Sequence, residues 1–97
     1  MSSQLTVTAV DHYEDHYEEQ FRETEEFDEL ETPDWASELA ESELAGSDVQ
    51  LGRDESDEWL IQSVRVPVSR ADDEGDASRK ALQVVTLITD HEMFDSK

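Results

Sequence analysis

Over residues 4–10 Leu5, Val7 and Ala9 alternate with Thr6, Thr8 and Val10. That period of two predicts a strand with one buried face over residues 4–10. From Asp11 the pattern changes. In DHYEDHYEEQFRETEEFDELE the aromatics Tyr13, Tyr17 and Phe21 recur every four residues, and a step of about 100° per residue places them with Val10 and Thr24 on one seam. The spacing predicts an amphipathic helix over residues 11–31, bending or ending near Asp28 as Phe27 and Leu30 drift off the seam. Thr32-Pro33 then reads as an N-cap followed by proline at the first helical position. It opens a short helix over residues 33–45 that turns Trp35, Ala36, Leu39 and Ala40 inward and stops at Gly46.

Residues 47–58 read as a polar connection, pinned by Val49 and Leu51. WLIQSVRVPV, residues 59–68, predicts a strand with Leu60, Val64, Val66 and Val68 on one face, and Pro67 places it at an edge or puts that proline near its end. Residues 71–78 read as a polar turn. KALQVVTLIT, residues 80–89, is rich in β-branched residues and predicts a second strand pairing with the first as an antiparallel hairpin, although its period alone would permit a buried helix. The tail, residues 90–97, returns Met93 and Phe94 to the core. The expected architecture is α+β, in the order β-α-α-β-β: one domain over residues 1–97, with a three-stranded, mainly antiparallel sheet and acidic helices on one face.

Charge sharpens this picture. The chain of 97 residues carries 27 acids against 7 bases, a net charge of −20. Equal hydrophobic and charged fractions, 35% each, border on disorder, but the regular aromatic spacing, the strand-like runs and the scarcity of Gly and Pro argue for a folded domain. The charge is uneven. Residues 11–58 hold 20 acids against Arg22 and Arg53, while residues 59–97 hold 7 acids against 5 bases. On the predicted helix eleven carboxylates would face one cation, Arg22, over ~30 Å at ~1.5 Å per residue, a density close to the one phosphate per ~3.4 Å of a DNA strand. Like charges at i,i+4 oppose helix formation, so the acids point to a use outside the fold.

Other chemistry finds little support. The absence of cysteine excludes disulfides and thiolate metal sites. No apolar run approaches the ~18 residues that span a bilayer, and no basic-then-apolar leader opens the chain, so a cytoplasmic protein that avoids membranes and nucleic acid is expected. There is no phosphate-binding loop, nucleophile elbow or H-E-x-x-H, and carboxylates on an open face lack the pocket that would tune them; neither enzyme activity nor a cofactor is expected. His12-x-x-x-His16 has the spacing of a zinc pair on a helix, with Glu19 or Glu23 as third ligand, but two solvated histidines aligned by the repeat are the favoured reading. His91 is read as a surface residue. Tyr13, Tyr17, Phe21, Trp35 and Trp59 are read as core, because so small a chain can hardly spare them. Partner binding falls to Asp11, Glu14, Asp15, Glu18, Glu19, Glu25, Glu26, Glu29, Glu38 and Glu41.

In composition and charge layout over residues 11–58 the chain resembles the DNA-mimic inhibitors of bacteriophages and mobile elements, a class that includes anti-CRISPR and anti-restriction proteins. Its members are small, very acidic and free of cysteine, and they display charge on one side. The resemblance implies a competitive inhibitor seated in the Lys- and Arg-lined groove of a nucleic-acid-binding protein, gaining from steering and counterion release. An anti-CRISPR covering the PAM-reading surface of a surveillance complex, where duplex DNA enters, is favoured over an anti-restriction protein facing a restriction enzyme. The charged face spans about one duplex turn (~34 Å) and suits a local site. Such a protein would act as monomer or homodimer in the host bacterial cytoplasm. The remaining expectations are an acidic adaptor or antitoxin that neutralises a basic partner, and a halophilic housekeeping domain. Two lysines fit the halophile, and the uneven charge does not.

Overall fold

The computed structural model describes residues 6–55 and 57–94. Tyr17, Glu19 and Phe21 are buried while His16, Glu18 and Gln20 between them are half-exposed, so the acidic stretch follows a period of two. It forms strands β1 (Ala9–His12) and β2 (His16–Gln20), paired as an antiparallel hairpin with Val10 opposite Glu19 and His12 opposite Tyr17. A 3₁₀ turn over Thr24–Glu26 and a short edge strand β3 (Glu29–Glu31) follow. This replaces the helix expected over residues 11–31. An interval of four satisfies the strand period as well as the helical one, and a strand sends alternate acids to opposite faces where a helix would stack them.

The expected short helix forms as α1 (Asp34–Glu43), with Ala36 and Ala40 fully buried. Thr32 does not cap it; its hydroxyl donates to the Val49 carbonyl at 2.9 Å, and the Pro33 carbonyl receives the N–H groups of Ala36 and Ser37. Gly46, at φ 86°, turns the chain out of the helix in a conformation that favours glycine. The connection expected over residues 47–58 is instead strand β4 (Asp48–Arg53) and a tight turn, because Val49 and Leu51 lie on one face of the strand and both are buried.

Strand β5 (Trp59–Pro67) forms as expected and ends on its proline, but it is a central strand, paired with β2 on one side and β4 on the other. Between the Gln50–Ser63 and Leu51–Ile61 pairs one extra residue, Gln62, is inserted. Such a bulge shifts the phase of the strand. Ile61 thereby joins Val64 and Val66 in the core, and Leu60, expected on that face, moves opposite Gly52 on the other.

The largest correction is at the C-terminus. Helix α2 (Glu74–Thr89) replaces the expected turn over residues 71–78 and strand over residues 80–89. Its buried side chains, Ala77, Ala81, Val84, Val85 and Ile88, trace a helical stripe; the stripe starts at Ala77, before the run that suggests a strand. Asp73 caps the helix by accepting from the Asp76 N–H at 2.8 Å.

The sheet is five-stranded and antiparallel in the order β1-β2-β5-β4-β3, rather than three-stranded. The α+β class holds, with the element order β-β-β-α-β-β-α. Both helices pack on one face, over a core that includes Tyr17, Phe21, Val49, Leu51, Ile61, Val64 and Val66. Phe94 packs against this core as expected, whereas Met93 is exposed. Leu5 and residues 95–97 of the expected strand and tail lie outside the described residues.

Gly52 marks the closest approach of the edge to the sheet. A Cβ there would come within 2.5 Å of Phe27 Cδ1 and 2.7 Å of the Glu29 carbonyl oxygen. Gly52→Ala should therefore lower stability by roughly 1–3 kcal/mol in urea unfolding, as overpacking does. Gly75→Ala, at a helical position where the nearest heavy atom would lie at 3.5 Å, should be neutral or stabilising by up to ~1 kcal/mol.

Candidate protein-binding surface

Between Arg22 and Arg53 there is no Lys, Arg or His, yet the stretch holds eleven carboxylates. It builds the 3₁₀ turn, β3, α1 and most of β4. Because β3 is an edge strand and α1 packs over β4, these elements form one flank of the molecule. Three cations border it: Arg22, whose Nη1 lies 3.1 Å from Glu26 Oε1, Arg53, opposite Glu29 on β4, and Arg65, opposite Asp48. Some of the acids serve the fold. Glu23 and Glu26 exchange capping hydrogen bonds around the 3₁₀ turn, Glu41 Oε2 accepts from the Gly46 N–H at 3.2 Å, and Asp48 Oδ1 accepts from Ser37 and Val49. Glu29, Glu31, Asp34 and Glu38 are exposed. Acids on a short edge strand also discourage pairing with another sheet.

The ten residues expected to bind a partner do not form one line. Glu25, Glu26, Glu29, Glu38 and Glu41 share the flank just described. Asp11 and Glu18 stand opposite each other on the hairpin, and Glu14 and Asp15 occupy its tip, at the other edge of the sheet. Glu31 and Asp34 complete the flank and were not among the expected residues; the run without a base from 23 to 52 is the sequence signal that identifies them.

Glu19 is a correction. It is fully buried between β2 and α2, with Oε1 accepting from Ser78 Oγ at 2.6 Å and Oε2 without a partner. Loss of hydration holds its carboxyl above the usual range, against the opposing pull of the Ser78 hydrogen bond, and the charge of Glu74 adds to the rise. It faces the core and no partner can reach it.

The residues with zinc-like spacing do not come together. His12 pairs with Tyr17 in register and stacks on its ring at 4.4 Å, while His16 lies on the other face of the hairpin, against Tyr13 at 4.7 Å and bonded to Asp15 at 2.7 Å. That hydrogen bond is the main reason the Asp15 carboxyl sits below its ordinary range. An i,i+4 pair shares a side on a helix, but here a turn separates the two histidines. Among the described residues no three His, Asp or Glu side chains gather to hold a metal.

Of the aromatics expected in the core, Tyr17 and Phe21 are buried and Tyr13 is 47% exposed. Trp35 and Trp59 meet edge to face at 6.4 Å, His91 stacks on Trp35 at 4.9 Å, and the Arg53 guanidinium lies 4.1 Å above the Trp59 ring. His91 is thus part of a packed ladder and not a free surface residue. Among the described residues no helix is long and apolar enough to cross a membrane. Compared with protein families, curated proteins and solved structures, the chain matches none.

Two carboxyls give the fold opposite responses to pH. Glu19, raised in the folded state from 4.5, favours folding when protonated and opposes it as pH rises through its folded value. Glu19→Gln should therefore stabilise by about 1–2 kcal/mol at neutral pH, and the gain should fade below about pH 4.5. Asp76 is held down to about 2, chiefly by the Asp72 N–H, with Lys80 and Arg79 assisting. Its contribution is present above 3.8 and is lost as pH falls toward 2. Asp76→Asn should be destabilising at neutral pH and nearly neutral in strong acid, read by thermal unfolding across pH.

Proposed function

We propose that the protein binds, through its acidic flank, a basic groove of a nucleic-acid-binding protein and so competes with nucleic acid. The observation that carries this reading is the flank of residues 23–52, with eleven carboxylates and no base within it. The charge is held on a strand and a helix packed to a common core, so little ordering entropy opposes binding, and the surrounding field accelerates encounter with a positive surface. The longest dimension, 37 Å, is close to one turn of duplex (~34 Å). That footprint suits a local DNA-entry or PAM-reading surface, as in a CRISPR surveillance complex, better than the extended groove of a restriction enzyme. An adaptor or antitoxin acting on a basic partner would use the same flank.

A second reading is favoured by one observation. Acids also occupy the hairpin tip, at Glu14 and Asp15, and the start of α2, at Asp72, Asp73 and Glu74, outside the flank. Acidity on several sides is what salt adaptation of a housekeeping domain produces.

A pull-down from bacterial lysate should retain a DNA-binding protein that is released by high salt and by duplex DNA. Joint reversal of Glu29, Glu31 and Glu38 to Lys should weaken that complex at least a hundredfold and lower the slope of log affinity against log salt by roughly two to three, with the circular-dichroism spectrum unchanged. Retention of full binding by this triple variant would remove the mimic reading. Urea unfolding from about 0.1 to about 2 M KCl separates the two: a mimic is folded throughout, whereas a salt-adapted domain unfolds at the low end.

A further inference from the structure

On the sheet face that no helix covers, Glu18, Arg65 and Asp48 stand opposite one another on β2, β5 and β4. Neighbouring strands lie ~4.8 Å apart, close enough for the arginine to reach either acid. Among the described residues, however, the Arg65 guanidinium makes no ion pair and the half-buried Glu18 carboxylate has no hydrogen-bond partner. The three side chains line a cleft of about 160 Å³, together with Gln50, Ser63 and Leu30. Leu30 is 41% exposed and forms the apolar wall of this cleft.

We propose that this cleft binds a free α-amino acid with an apolar side chain. Its volume is well below the several hundred cubic ångströms of a drug-sized site and near that of a cavity that admits benzene (~150 Å³), so the ligand has roughly six to nine heavy atoms. The Arg65 guanidinium, which makes no ion pair although its charge also reaches Asp15, matches a carboxylate in two-point geometry. Glu18 and Asp48 on either side match an ammonium group; the bonds from Ser37 and Val49 use Asp48 Oδ1 and not Oδ2. The net charge of −20 repels a free anion, and Arg65 repels a cation placed between the two acids. A zwitterion satisfies both fields. Gln50 and Ser63 supply further polar contacts, and Leu30 receives the side chain.

The test is a titration of the full chain with L-leucine, followed by amide chemical shifts and calorimetry. Leucinol, which lacks the carboxylate, and 4-methylpentanoate, which lacks the ammonium, serve as probes of the two charges. Leucine should bind with a Kd on the order of a millimolar and shift the amides of Glu18, Ser63 and Arg65. Each analogue, and leucine on Arg65→Gln or Glu18→Gln, should bind about tenfold or more weakly, with both variants folded by circular dichroism. Equal binding by Arg65→Gln, equal binding of leucinol, or no shift with leucine or any other standard amino acid would overturn the proposal. So would a loss of stability in Arg65→Gln without any response to amino acids in the parent, since Glu18 and Arg65 would then simply pair with each other. The cleft borders the acidic flank and shares Leu30, Thr32, Asp48 and Gln50 with it, but Glu29, Glu31 and Glu38 do not line it, so their reversal should leave the residues that contact the amino acid in place.

Discussion

Strand β5 is hydrogen-bonded along both sides, from His16–Pro67 to Gln20–Ser63 against β2 and from Asp48–Arg65 to Arg53–Trp59 against β4. Its Val64 and Val66 are fully buried beneath the helices. Without that double pairing the hairpin on one side and the acidic flank on the other would have no common layer, since each pairs with the rest of the sheet only through β5. The bulge at Gln62 belongs to the same constraint. It turns Ile61 into the core and brings Trp59 to Trp35, which ties α1 to the sheet.

Around this framework the charge distribution is compatible with folding because the acids sit where strands, turns and one short helix spread them. A single helix over residues 11–31 would have concentrated eleven like charges on one cylinder, at a few tenths of a kcal/mol for each i,i+4 pair. The hairpin divides five of them between two faces and an exposed tip, and the other six lie along the 3₁₀ turn and β3. Among the described residues the carboxylate the fold could not keep in water is Glu19, whose strand phase points it at α2. Its single hydrogen bond to Ser78 leaves half of the group unsatisfied, and it is the point at which pH reaches the core.

The functional reading survives the loss of the helix that suggested it, with the charge carried by a different set of elements. An edge strand and the helix packed over β4 hold Glu29, Glu31, Asp34 and Glu38 exposed. The uncovered sheet face is chemically distinct: it sets Arg65 between Glu18 and Asp48, a mixed-charge environment suited to a small polar ligand more than to a basic groove. The two surfaces adjoin along β3 and β4.

The sequence by itself determined the α+β class, α1 with its inward Ala36 and Ala40 and its glycine stop, the strand ending at Pro67, and the acidic run without a base. Each of these rests on short-range rules: helical spacing, the missing N–H of proline, the freedom of glycine, and plain charge. Tertiary structure alone decided between hairpin and helix for residues 11–31 and between helix and strand for residues 80–89. Tyr13, Tyr17 and Phe21 fit both periods, and Val84, Val85 and Ile88 fit either a buried strand or a buried helix. What separated them was whether a neighbour existed: β2 had β5 to pair with, and α2 had a sheet face to cover. For the same reason the burial of Glu19, the parting of His12 from His16 and the alignment of Glu18, Arg65 and Asp48 could not be read along the chain, because strand register sets them and long-range pairing sets register.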